Sequence, residues 1–238
     1  MASFLRYLED EEVRNQEEQL MVNMLYYTFY RKSPEKLGFD SIAEGLHEVL
    51  KSNEMKKEIQ AIFTYNYRHL ELVEKSHDLT FESPLRVHSS YSTDQVLSAL
   101  GYYNEQQRPE FREGVKYLKG KKVDVFFITL NKSDKDFSPS TMYDDYAMNE
   151  WLFHWQSQSR TSVTSETAQR YIHHRERNHQ ILLFVREYKQ ENGYAAPFTY
   201  LGTADYVRHS GNKPISFVWE LHEKIPAKLI VQVNKHIL

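Results

Sequence analysis

The apolar residues of this chain change their spacing at Glu82-Ser83-Pro84, and a change of hydrophobic period implies a change of secondary structure. Before that point they recur every three or four positions. Leu20, Val22, Met24, Leu25, Tyr26 and Phe29 form a stripe through a segment free of Gly and Pro, and Pro34 ends it. Asp40 or Ser41 is placed to cap a second helix through Ile42, Leu46, Val49 and Leu50. Ser52 or Asn53 caps a third, carrying Met55, Ile59, Ile62 and Phe63. These stripes read as core faces, and no catalytic constellation stands among them.

Past Pro84 one more helix is expected, DQVLSAL, with Ser92 or Thr93 as its N-cap and Gly101 just beyond its end. After it the pattern is that of strands. Val115-Lys116-Tyr117-Leu118, a Lys-Gly-Lys-Lys turn and VDVFFITLN predict a hairpin, and further strands are expected over 152–159, 180–189, 198–207 and 215–222. Trp219 lies in an apolar strand and is expected in the core, whereas Trp155 sits among polar residues and is expected nearer a groove. Short strands with little helix between them predict a small, mainly antiparallel β-barrel. The expected fold class is therefore α+β: an N-terminal helical bundle over 1–83, serving as a docking or support domain, and a β-barrel-like domain over 84–238.

Composition narrows the functional classes. At 238 residues, with 40% hydrophobic and 26% charged, the chain can build a proper core. It has no cysteine, which removes disulfides, thiolate catalysis, zinc fingers and iron–sulfur clusters. No window approaches about 18 uncharged apolar residues, so no membrane-spanning helix is expected. The acidic amino terminus has no apolar secretory core, and a bacterial, cytoplasmic setting is the expectation. Residues 1–83 hold 10 Lys+Arg against 16 Asp+Glu, while 84–238 hold 20 against 17. The second part is thus slightly basic, a weak pointer to a polyanion partner.

Familiar catalytic motifs are missing: there is no GxxxxGK[ST], GxGxxG, GxSxG or HExxH. His173 and His174 are adjacent, with His179 nearby. Neighbouring positions diverge on a strand and on a helix, so these histidines chelate poorly and suit polar contacts better. Asp144, Asp145 and Glu150 could in principle hold Mg²⁺, but no suitably spaced Lys accompanies them. No catalytic residue, metal ligand or cofactor is expected.

The segment 132–161 departs from routine scaffolding. In an extended conformation Leu152, His154, Gln156 and Gln158 share one face, and Phe153, Trp155, Ser157 and Ser159 the other. His and Gln hydrogen-bond base edges and phosphates, and Arg160 and Arg170 follow with positive charge. The preceding loop adds Lys132, Ser138, Ser140 and Tyr143. Tyr146 and Trp155 are candidates for stacking on a base turned out of a duplex. The alternative is that Phe153 and Trp155 are core and the amides lie on a plain solvated strand face.

At these residues a resemblance enters. PLRVHSSYSTDQVLSALG (84–101), GVKYLKGKKVDVFFITLNKSDKDFSPSTMYDDYA (114–147), LFHWQSQSRTS (152–162), QRYI (169–172), ILLFVREYK (181–189), FTYLGTADYV (198–207) and KPISFVWELHEKIPA (213–227) resemble a bacterial domain-of-unknown-function family. That family ends large fusion proteins carrying a phospholipase-D-like nuclease and a DEAD/DEAH-box helicase. The TLNKS…FSPSTMYDDY and FHWQSQS strings are the most distinctive parts. The chain itself lacks helicase motifs and the HxK nuclease motif, so the resemblance implies neither activity here. It implies an accessory part of a restriction or phage-defence machine, either a carboxyl-terminal fragment or a stand-alone relative.

Three expectations follow. The first is a non-enzymatic module that recognises double-stranded DNA, with a modified base as a candidate target, for a helicase and nuclease acting in cis or in trans. The second is a protein-interaction module whose 1–83 bundle docks on the helicase. The third is a metal-dependent hydrolase using Asp144, Asp145 and His173 or His174.

Overall fold

The computed structural model describes residues 2–69, 75–76, 78–112, 114–131 and 145–233. The chain forms two units, one of Met1–Val73, Thr80–Leu85 and Tyr91–Arg112, the other of Glu74–Leu79, Arg86–Ser90 and Glu113–Leu238. The division is thus not a single cut at 83–84, because residues 91–112 return to the helical unit.

The first unit contains α1 (Ala2–Asp10), α2 (Gln16–Phe29), α3 (Ile42–Leu50), α4 (Asn53–Arg68) and α5 (Thr93–Ala99). Each expected cap resolves to a serine: Ser41 accepts from the Glu44 N–H, Ser52 from Met55, and Ser92 forms a reciprocal capping box with Gln95. The stripe of α2 buries Leu20, Leu25, Tyr26 and Tyr27, with Ile42 and Leu46 of α3 and Val96 and Leu97 of α5 also in the core. Helices α2 and α3 approach closely because position 45 is glycine; a Cβ there would lie 2.6 Å from a Tyr26 ring carbon. The Tyr27 hydroxyl donates to the Asn104 carbonyl at 2.6 Å, and Glu105 accepts from the Ile42 N–H at 2.7 Å. These two bonds hold the segment after α5 in the helical unit.

The second unit carries β1 (Ser90–Tyr91, entering through Ser90), β2 (Val115–Leu118), β3 (Val123–Thr129), β4 (Tyr146–Ala147), β5 (Leu152–Gln156), β6 (Gln180–Arg186), β7 (Gln190–Glu191), β8 (Tyr194–Ala195), β9 (Phe198–Ser210) and β10 (Ser216–Leu221), with α6 (Glu166–Ile172) and α7 (Ala227–Val233). The main sheet runs β2-β3-β6-β9-β10-β5-β4, and β7 and β8 form a separate ribbon. The sheet is mainly antiparallel, but no closed barrel forms, which corrects the sequence expectation. Among the described residues no ladder joins the edge strands β2 and β4. The physical reason lies in β3 and β6, which pair in parallel, Val123 to Gln180 through Thr129 to Arg186. All seven residues of β3 are buried, the mark of a strand covered on both faces. Such a sheet is a covered layer and need not curl on itself to hide one face. Phe126, Phe153, Trp155, Phe217 and Trp219 form the core of one face, with Ala168 and Tyr171 of α6 and Leu229 of α7 in the same cluster. Gly202, at φ +102°, sits where the β6–β9 register slips, and the Val87 side chain packs 3.6 Å from where its Cβ would be.

Candidate nucleic-acid interface

Strand β5 alternates as its sequence requires. Phe153 and Trp155 are buried, while Leu152, His154 and Gln156 are half-buried on the other face. Tyr146 of β4 lies directly across from His154, and their rings stack at 4.8 Å and 20°. The Gln156 backbone N–H donates to Asp145 Oδ1 at 2.8 Å, and its side-chain amide donates to the Ser216 hydroxyl at 3.3 Å. Trp155 is 6% exposed and stacks on Phe126 at 4.1 Å. It is a core residue, more buried than its polar neighbours suggest, and it borders a cavity only as part of its wall.

After Gln156 the strand ends. The Ser157 N–H and hydroxyl both bond the Ile215 backbone, and a turn closes with the Thr161 N–H donating to the Gln158 carbonyl at 2.9 Å. This turn parts Gln158 from His154 and Gln156, so the single polar face expected over 154–158 is not formed. Gln158 and Arg160 instead line a cavity of about 430 Å³ in the second unit. Trp155, Tyr171, Tyr117 and Val115 supply its aromatic and apolar walls. Thr161, Ser165 and Thr167 add hydroxyls, and Asp124 with Arg170 completes it. Helix α6 brings its share because Ser165 caps it, accepting from the Ala168 N–H at 3.2 Å.

A buried ion network stands at one wall. Asp124 is fully buried in the apolar run of β3, a placement too costly for a carboxylate without partners. Arg170 Nε donates to its Oδ2 at 2.6 Å and Nη2 to its Oδ1 at 3.1 Å, and His179 Nε2 donates to Oδ2 at 2.7 Å. The Arg170 guanidinium also lies 3.8 Å from the centre of the Tyr117 ring. Burial pulls the Arg170 pKa down, but the hydrogen bond and charge of Asp124 outweigh it and hold the guanidinium above its ordinary value. Burial pushes the Tyr171 phenol far up, so it stays protonated. His174 is a neutral clip: Nδ1 donates to the His179 carbonyl at 3.0 Å, and Nε2 accepts from the Tyr206 N–H at 3.0 Å. Burial accordingly lowers its pKa.

Of the residues singled out in the sequence, Trp155, Gln158, Arg160 and Arg170 meet at the cavity, while Tyr146, His154 and Gln156 share the outer face of β5. Ser159 is exposed on the turn. Lys132, Ser138, Ser140, Tyr143 and Asp144 lie outside the described residues. Arg170, expected to meet phosphate or a base edge, gives two of its nitrogens to Asp124. His173 is exposed beside Glu176, His174 is buried in backbone contacts, and Asp145 accepts the Gln156 N–H. Among the described residues no group of three His, Cys, Asp or Glu is placed to hold a metal ion, and no helix is long and apolar enough to cross a membrane. Sequence reasoning missed Tyr117, Asp124 and Tyr171. The lone carboxylate in VDVFFIT was the available signal, since it demands a cation brought from elsewhere in the chain.

Comparison with known proteins gives a family and a distant structural likeness. A family model described as "Domain of unknown function (DUF3427)" matches residues 85–233, well over half of the chain. No curated protein matches. Two crystal structures of Arabidopsis thaliana SUVH6 in complex with SAM align with TM-scores of 0.39, at 14% and 12% identity. The alignments cover 90% and 97% of this chain but only 39% and 42% of the plant chains.

Proposed function

The chain belongs to the DUF3427 family, and from that premise we propose that it is a non-catalytic DNA-recognition module, a modified-base reader serving a helicase–nuclease restriction or phage-defence system. One observation carries the reading: an aromatic-walled cavity whose rim holds a guanidinium, Arg160, with no carboxylate partner among the described residues. Guanidinium and amide groups beside aromatic rings are the elements that bind phosphate, base edge and base face. The outer face of β5, with Tyr146, His154 and Gln156, supplies a second polar surface in the same unit. Helicase and nuclease partners, in cis or in trans, come from the resemblance of the 114–162 strings and are part of the proposal.

The test is an anisotropy titration of the chain against plain, methylated, glucosylated and phosphorothioated duplexes at several salt concentrations. The expected result is preference for one modified duplex and a steep loss of affinity with salt, as phosphate contacts release counterions. Replacing Gln156 and Gln158 together by Ala is expected to erase the preference at a cost of about 1–3 kcal/mol while leaving salt-dependent binding in place. Absence of binding to every duplex and single strand at low salt refutes the reading. A second reading rests on α4, where Met55, Ile62, Tyr65 and Tyr67 are exposed: the helical unit docks on the helicase, and co-purification without DNA binding would favour it.

A further inference from the structure

The hydrogen-bonding capacity of the cavity is unevenly spent, and the imbalance defines a ligand. Its one carboxylate, Asp124, has no exposed surface and already accepts three hydrogen bonds, from Arg170 Nε, Arg170 Nη2 and His179 Nε2. Buried and partnered, it is not presented to a ligand. The charged groups facing the space are guanidiniums, beside the Thr161 and Thr167 hydroxyls and the Gln158 amide, which can donate or accept. Arg170 spends Nε and Nη2 on Asp124 and its side chain also bonds the Tyr171 hydroxyl, yet its guanidinium still lines the cavity with its positive charge. Arg160 is exposed at the rim and forms no ion pair there, and the Gln158 side-chain amide is likewise without a partner. Ser165 is not available, because its hydroxyl donates to the Ser162 carbonyl and caps α6. The cavity therefore offers a cation no exposed carboxylate and favours a ligand with acceptors and negative charge. Trp155, Tyr171 and Tyr117 add the demand for a flat apolar body. At about 430 Å³ the cavity is in the range that takes a small molecule and is far too small for a stretch of duplex.

We propose that the cavity is a mononucleotide site: one nucleotide unit enters with its base against the aromatic walls, a base acceptor on the Gln158 amide beside the Arg170 guanidinium, and its phosphate on Arg160. The proposal deepens the DNA-recognition reading and rests on it for the source of the ligand, a nucleotide turned out of a strand; a free nucleoside monophosphate presents the same chemistry. The Asp124–Arg170 pair then acts as a positioning device. It holds the guanidinium over the Tyr117 ring, so that this charge is fixed in place before a ligand enters.

The experiment titrates the full chain with the four deoxynucleoside 5′-monophosphates and the corresponding nucleosides, following quenching of tryptophan fluorescence. A duplex carrying one mismatched base serves as competitor. Saturable quenching by at least one monophosphate is expected, at least tenfold weaker with its nucleoside. It should be at least tenfold weaker with Arg160→Ala, partly restored with Arg160→Lys, and abolished when Thr167→Trp fills the cavity. Circular dichroism melts confirm that these rim variants fold. Equal affinity for nucleoside and monophosphate, or binding indifferent to Arg160→Ala and Thr167→Trp, overturns the proposal. The two readings separate cleanly. Duplex binding that ignores the cavity variants, with no monophosphate binding, refutes the mononucleotide site and leaves DNA recognition standing. Monophosphate binding that no duplex or single strand competes with refutes DNA recognition and leaves a free-nucleotide site.

Discussion

Replacing Asp124 by Asn tests the network on which the cavity wall depends. The exchange keeps the volume but removes the one negative charge that faces Arg170 among the described residues, and it turns an amide N–H₂ toward groups that are themselves donors. Asp124 has no exposed surface and receives three hydrogen bonds, from Arg170 Nε, Arg170 Nη2 and His179 Nε2. Arg170 is itself buried, so the variant leaves a guanidinium uncompensated in the interior. Removing one member of a buried pair costs about 3–5 kcal/mol, a large share of the roughly 5–15 kcal/mol that holds a domain folded. With a urea slope of about 2 kcal/mol/M, the unfolding midpoint should fall by about 2 M. All three tryptophans, Trp151, Trp155 and Trp219, lie in the sheet unit, so fluorescence reports this unit's unfolding. Asp124→Leu combined with Arg170→Met removes both charges and should recover most of the loss, because an apolar pair of similar size needs no desolvation. A loss below about 1 kcal/mol for Asp124→Asn, or a double variant no better than the single one, would refute the account of a buried pair that is costly to break and cheap to replace.

Two further outcomes are expected. His222 lies between Asp78, with Nδ1 to Oδ2 at 2.5 Å, and Asp205, with Nε2 to Oδ2 at 2.9 Å; the Asp78 hydrogen bond first, then Asp205, raises its pKa from 6.5 to about 9. A raised pKa means the charged form is favoured by folding, so this stability is complete below pH 6.5 and lost as pH rises through about 9; a melting temperature that does not fall over that window, or one whose fall survives His222→Gln, counts against it. Truncation of Trp155 to Ala should cost about 3–5 kcal/mol, as should Trp219 to Ala, because both belong to one aromatic core; retention of full stability by the Trp155 variant would remove it from that core.

Much of the fold was legible because its signals are local. A serine before an apolar stripe predicts a cap, and Ser41, Ser52 and Ser92 all serve as caps. The hairpin of β2 and β3 and the later strands follow from alternation and turn residues. That the sheet stays open was not legible, because closure is a non-local property. VDVFFIT reads equally as a strand of a small barrel or as one covered on both faces, and only its parallel pairing with β6, some fifty residues later, decides. The path of 91–112 was hidden for the same reason: nothing local in Asn104 or Glu105 announces a bond to Tyr27 or Ile42.

The candidate site divides along the same line, and the division explains its chemistry. Gln158 and Arg160 could be named from the sequence because polar groups gathered beside aromatics are visible in one short segment. Their direction could not, since it depends on where β5 stops. The strand ends at Gln156, and the turn closed by the Thr161 N–H sends the next residues toward α6 and not along the outer face. Arg170 shows the converse. Its type and charge were visible, but the partner that fixes it, Asp124, lies 46 positions away on β3. A carboxylate buried in β3 must recruit a cation, and the cation it recruits is fixed in place through two of its nitrogens. The wall is therefore rigid, donor-bearing and nearly neutral, while the net positive charge stands at the rim on Arg160. That separation suits a ligand with its charge at one end and a flat, weakly polar body at the other. It follows from one Asp in an apolar strand, given a sheet that has already brought β2, β3, β5 and α6 together.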